Sequence, residues 1–178
     1  MRWIMTVVMA WVVLPVHAAG LSAASVERWI TAMPEIQIWL DSHQDQMPAP
    51  TPSTSSDLGE VFDQGVTNLR QAGLYQSFDA ELGRHGYRSV EEWSDQTAKI
   101  SMAYLAVEMD REPVTLSQLQ AQLVQVQAAE GLPPEQVQAM TNMLQSTIAM
   151  MRKVNAVPAA DRQAVQPFLK QVKQVLGR

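Results

Sequence analysis

Apolar residues recur at every third or fourth position over most of this chain, which is the spacing of amphipathic helices. The clearest stripe occupies positions 90, 93, 97, 100, 104 and 107. Similar stripes cover 25–42, 58–69, 116–126, 137–151 and 165–176. No run shows the two-residue alternation of a strand. The pattern predicts an all-α protein, a small bundle of about six to seven helices.

Capping residues predict where several of the helices begin. Ser89 with Glu92, and Thr115 with Gln118, have the spacing of a capping box, in which each side chain accepts from the other residue's backbone N–H. Ser77 is predicted to cap a short helix over 78–82.

Two further features concern the later helices. Between residues 100 and 109 nearly every side chain is apolar, so we expect this helix at the centre of the bundle. Pro133 and Pro134 are expected to open one helix, and Pro158 the last. Pro167 should kink that last helix.

The first eighteen residues have the pattern of a secretory signal peptide. Arg2 supplies a positive charge, residues 3–16 are apolar apart from Thr6, and small residues stand three and one positions before a predicted cut after Ala18. An apolar run of this length is short of the ~20 residues that span a bilayer. We expect an exported protein. An uncleaved membrane anchor is the alternative.

A proline-rich connector divides the rest of the chain. Residues 47–56 read MPAPTPSTSS, and prolines at alternate positions cannot continue a helix. The connector separates an N-terminal helical arm, 19–46, from a helical bundle domain, 57–178. The sequence leaves open whether the arm is mobile or docks on the bundle.

Composition excludes several functional classes. The chain has 47% apolar and 17% charged residues, no cysteine and a net charge of −5. The acidic balance argues against nucleic-acid binding. The lack of cysteine excludes disulfides, thiolate metal sites and a cysteine nucleophile. Without cysteines or a glycosylation sequon, the exported chain is expected in a bacterial periplasm.

No motif for catalysis or cofactor binding is present, whether nucleophile elbow, phosphate loop or dinucleotide fingerprint. Glu91 and Asp95 share a helical face, but the start of a helix explains acids there. We therefore predict no catalytic residue, no metal ligand set and no cofactor. An enzyme whose site forms only on folding stays open. A structure that places His85 within hydrogen-bond reach of a buried acid in a cleft would favour it.

The histidines are given structural roles. His43 lies between Asp41 and Asp45, which would share a face with it only in an extended strand. We expect these three side chains to be solvated. His85, in a turn that ends a helix, is expected to face the carbonyl end of that helix.

Methionines concentrate on one predicted helix, at positions 140, 143, 150 and 151. They could pack a core, present an adaptable surface to apolar partners, or bind Cu(I) through their thioethers. The candidate contacts for a partner or ligand are Trp29, Trp39, Met143 and Met150.

Two short segments resemble a motif of the Spy/CpxP-type periplasmic chaperones, L-T-x-x-Q at helix starts. They are residues 116–120, LSQLQ, and 132–136, LPPEQ, with Ser117 and Pro133 at the position of the threonine. The resemblance implies a small helical dimer that cradles unfolded clients. It covers ten residues and identifies no family.

These observations predict a periplasmic helical protein without enzymatic chemistry of its own. It would bind another protein or an apolar ligand, with no nucleic-acid partner and no stable membrane span after signal cleavage. Soft-metal binding through the methionine helix is the alternative from another class. Self-association is left open.

Overall fold

The computed structural model describes residues 20–49, 58–111, 115–129 and 131–177. Within them the fold is all-α and contains no strand, so the predicted class is confirmed. The predicted signal peptide, 1–18, and residues 50–56 of the connector lie outside these ranges. The helices are α1 Ala23–Ser42, α2 Leu58–Gln71, α3 Tyr75–Arg84, α4 Val90–Met109, α5 Leu116–Gln127, α6 Pro134–Asn155, α7 Ala159–Val165 and α8 Leu169–Leu176, with 3-10 turns at Gln44–Gln46 and Gln166–Phe168.

The helix α4 lies at the centre of the bundle, as its all-round apolar character predicts. It packs against α2, α3, α6, α7 and α8. Ile100, Ala103 and Ala106 have no exposed surface. A helix with neighbours on several sides has little room for a polar face, and this explains the nearly uninterrupted apolar run after residue 100.

The N-terminal helix α1 is part of the main core. It lies against α3, α7 and α8 and runs without a break through Pro34. The indole N–H of Trp29 donates to the hydroxyl of Thr97 on α4 at 2.9 Å. Five α1 side chains are buried: Val26, Trp29, Ala32, Met33 and Ile36. The arm left open by the sequence is therefore docked, and residues on both sides of the connector share one core.

The beginning of α1 is fastened to α7. Ser22 and Ser25 form a reciprocal capping box, and the backbone N–H of Leu21 donates to Asp161 Oδ1 at 2.7 Å. A Cβ at Gly20 would lie 2.9 Å from the same oxygen, so a larger residue there would displace the Asp161 carboxylate.

Several predicted helix ends are observed. Thr115 and Gln118 form the capping box of α5, and Pro133 and Pro134 open α6. Pro167 lies in the 3-10 turn that separates α7 from α8. If α7 and α8 are counted as one interrupted helix, the described residues contain seven helices.

Two capping predictions need correction. The hydroxyl of Ser89 accepts from the Glu92 N–H, but the Glu92 carboxylate accepts from the N–H of Arg88 instead of Ser89. The prediction that Ser77 caps the next helix is wrong, because α3 already begins at Tyr75. Leu74 precedes it with no side-chain cap.

The helices α5 and α6 form a hairpin with its own small core, separate from the main one. Its buried residues are Leu119, Leu144, Ile148 and Met151. Arg162 of α7 joins the hairpin to the main bundle. Its guanidinium donates to the carbonyls of Val154 and Asn155 at the end of α6 and to the Asp110 carboxylate after α4, at 2.9–3.3 Å.

Within the described residues, none of the helices combines the length and the apolar character needed to cross a membrane.

Candidate functional site

An apolar cleft of about 340 Å³ opens where α5 ends and α6 begins. Leu144, nearly buried, belongs to both the cleft and the hairpin core. Among the described residues, no charged side chain lines the cleft. The lining residues are Gln122, Gln125, Val126, Ala129, Leu132, Met140, Met143 and Leu144.

The local sequence explains how these residues meet. Positions 122, 125 and 126 follow the three- and four-residue spacing of one face of α5, and Ala129 lies just beyond the end of that helix. Gly131 has a φ of +92°, a conformation that favours glycine, and it reverses the chain before Pro133 and Pro134 open α6. Met140 and Met143, one turn apart on α6, then face the end of α5.

The cleft leaves large apolar side chains at the surface. Met143 is 63% exposed and Leu132 is 39% exposed. Single exposed apolar residues are common in proteins, but here two of them line the same concave surface. The amides of Gln122 and Gln125 add hydrogen-bonding groups to it.

The four methionines of α6 take different positions. Met151 is buried in the hairpin core, as the core interpretation predicts. Met140 is half-buried and lines the cleft together with exposed Met143. Met150 is half-buried two turns beyond Met143. Of the two methionines named as candidate contacts, the structure brings Met143 to the cleft.

The two tryptophans of α1 belong to the main bundle. Trp29 is wholly buried, so no part of it can meet a partner while α1 is docked, and we place it in the core. Trp39 is half-buried, with its ring stacked on His43 at 4.0 Å and tilted against Phe78 at 4.8 Å. Neither side chain lines the cleft.

The acids near the start of α4 are paired with basic or hydroxyl side chains. Both carboxylate oxygens of Glu91 accept from the Tyr75 hydroxyl, at 2.7 and 2.8 Å, and Arg70 pairs with one of them at 2.6 Å. The hydrogen bond from Tyr75 is the main cause of the lowered pKa of Glu91. Asp95 pairs with Lys99 at 2.7 Å. A lowered pKa suits a structural ion pair better than a general acid.

His43 was expected to be solvated, but it is half-buried at the end of α1, with its ring stacked on that of Trp39. His43 Nδ1 lies 2.8 Å from the Trp39 carbonyl oxygen, at the end of α1. His85 Nε2 lies 3.5 Å from Glu81 Oε1 and 3.6 Å from Glu35 Oε2. These distances exceed those of ordinary hydrogen bonds.

Sequence reasoning missed most of the cleft. It identified Met143, but Val126, Ala129 and Leu132 became candidates only when the hairpin was seen. Leu132 stands in the second L-T-x-x-Q-like segment and lines the cleft, whereas Leu116 of the first packs against the hairpin core. No protein-family model, no curated protein and no solved structure matches this chain.

Proposed function

We propose that this protein is exported to the periplasm and binds an apolar segment of another protein, without enzymatic chemistry of its own. The observation that carries the proposal is the cleft at the end of the α5–α6 hairpin, whose described lining residues carry no charge and include Met143 and Leu132 at the surface.

The lining favours a polypeptide over a purely hydrocarbon ligand. Apolar side chains of a client would replace water on Val126, Leu132 and the two methionines, at roughly 25 cal/mol per Å² of apolar surface buried. The amides of Gln122 and Gln125 can donate to and accept from a peptide backbone. Unbranched methionine side chains adapt to clients of different shape.

The test uses two exposed apolar residues of the same hairpin. Met143 lines the cleft and is 63% exposed, while Val124 is 64% exposed and is absent from the lining. Binding of a permanently unfolded, apolar polypeptide is measured by fluorescence anisotropy for M143E and V124E. We expect M143E to weaken binding at least about tenfold, because a carboxylate in an apolar contact must lose its hydration.

V124E should bind like the unmodified protein. Equal affinities for M143E and V124E would remove the cleft from consideration. Wild-type protein that fails to bind the polypeptide at all would contradict the proposed function.

Cu(I) binding through the methionines is the second candidate, since Met140 and Met143 line one cleft. The M140L/M143L variant separates the two functions. Leucine preserves apolar surface and removes the thioethers, so polypeptide binding should persist. A Cu(I) affinity that falls in this variant would favour the metal instead.

Export has its own test. Mass spectrometry of the protein recovered from the periplasm of a bacterial host should give an N-terminus at Ala19. This cut would leave α1 complete, because that helix begins at Ala23.

A further inference from the structure

Three potential metal ligands meet between α1 and α3, away from the cleft. They are Glu35 of α1, Glu81 of α3 and His85, which directly follows α3. One ligand atom from each lies within 4.8 Å of the other two. Among the described His, Asp and Glu side chains, this is the group that comes together closely enough to share a metal ion.

One ring nitrogen of His85 points into this group without a hydrogen bond. This atom, Nε2, is buried and has no hydrogen-bond partner in the described part of the chain. The side chains of His85 and Glu81 are each 14% exposed. A buried ring nitrogen without a hydrogen-bond partner costs free energy, and a cation held between it and the two carboxylates would supply a partner.

The two distances from His85 Nε2 fit a shared metal ion better than direct hydrogen bonds. Tetrahedral zinc with bonds of about 2.0–2.1 Å separates neighbouring ligand atoms by about 3.4 Å. His85 Nε2 lies 3.5 Å from Glu81 Oε1 and 3.6 Å from Glu35 Oε2. Hydrogen bonds would bring these pairs to about 2.7–3.2 Å.

We propose that Glu35, Glu81 and His85 bind one Zn²⁺ ion that fastens α1 to α3. One imidazole nitrogen and two carboxylate oxygens are ligands that zinc accepts, and water would complete the tetrahedron. The side chain of Glu35 is 71% exposed, so the site is open to solvent on that side and an ion can enter.

Neighbouring groups orient two of the ligands. Arg84 donates to Glu81 Oε2 at 2.8 Å, which leaves Oε1 directed at His85. Gly86, with φ of +78°, ends α3 in a Schellman motif, in which the N–H of Tyr87 donates to the Leu82 carbonyl. This tight ending fixes the backbone that presents His85. Support of this kind typically affects metal affinity by about 10–100-fold.

The experiment is calorimetric titration of Zn²⁺ into protein purified without an affinity tag. We expect one ion per chain. At a free zinc concentration about a hundredfold above the dissociation constant, the Tm should rise by about 5–10 °C. Co²⁺ in place of zinc should give the visible absorption of a tetrahedral complex.

Two matched pairs of variants assign the ligands. E35Q and H85Q should each weaken zinc binding at least about tenfold. E27Q, an exposed glutamate on the same helix, and H43Q, the histidine after α1, should bind like wild type. Because Glu35 is largely exposed, E35Q tests the site even if H85Q fails to fold.

The absence of saturable zinc binding would overturn the proposal, as would wild-type affinity in E35Q. Zinc binding and polypeptide binding depend on different residues, so either can fail without the other.

Discussion

At the scale of single residues, the buried indole of Trp29 is one of the contacts that hold α1 against the bundle. A tryptophan gains much from burial, but its N–H needs an acceptor there. Thr97 supplies one, and its own hydroxyl donates to the carbonyl of Trp93 one turn earlier at 2.7 Å. The bond between Trp29 and Thr97 joins α1 to α4, as does the bond from Arg28 to Gln96.

The variant T97V tests that role. Valine keeps the shape of threonine but leaves the Trp29 N–H buried without a partner, so the free energy of unfolding should fall by about 1–3 kcal/mol. Urea denaturation followed by tryptophan fluorescence measures the loss.

Thr31 offers a control for T97V, because its hydroxyl also bonds to the carbonyl four residues earlier but is exposed. T31V should change the stability by less than about 0.5 kcal/mol. Equal losses in the two variants would show that Trp29 does not depend on Thr97.

At the scale of helices, the sequence predicts a helix correctly where it has both an apolar stripe and a capping residue or proline at its start. The Thr115–Gln118 box and the proline pair before α6 mark their helices correctly, since these effects are local. The start of α3 could not be predicted from the sequence. Leu74, the residue before this helix, has no side chain that can cap it and is instead buried in the core. Ser77 therefore resembled a cap.

The same reasoning applies to the sites. The spacing of Glu81 and His85 on one helical face is visible in the sequence, but Glu35 joins them only because α1 docks against α3. Met143 could be named from its helix, whereas the facing Val126 depends on the hairpin turn at Gly131. Sequence periodicity shows which faces are apolar and does not show which of them stay uncovered.

The first turn of α4 gives a pH dependence. Burial by itself would raise the pKa of Glu92, but the backbone N–H and guanidinium of Arg88, helped by Arg28 of α1, outweigh burial and lower it. A lowered folded-state pKa contributes stability above the ordinary glutamate pKa, and the contribution is lost as the pH falls through the folded value.

The variant E92Q should therefore be less stable than wild type at neutral pH, and the difference should shrink as the solution is acidified. Urea denaturation across a pH series measures it. E135Q is the control, because Glu135 also lies in the first turn of a helix. A pH-independent difference for E92Q would contradict the role assigned to its charge.

At the scale of the whole molecule, stability is unevenly distributed. The main core joins α1–α4 with α7 and α8, whereas the hairpin core has four buried residues, of which only Leu119 comes from α5. Local opening follows the amount of buried apolar contact, so the hairpin should open more readily than the rest.

Hydrogen exchange followed by mass spectrometry tests this difference. Amides of α5 and the first half of α6 should exchange faster than those of α4, and amides of α1 should be protected nearly as well as α4. Rapid exchange throughout α1 would mean that the docked arm separates easily. Equal protection in α5 and α4 would contradict the division into two cores.

The separate small core of the hairpin also bears on how this molecule can change. Substitutions at the rim of the cleft touch few atoms on which the six-helix body depends, so their energetic cost stays local. Under the proposed function, new preferences for a bound polypeptide can accumulate there one side chain at a time while the rest of the fold remains intact.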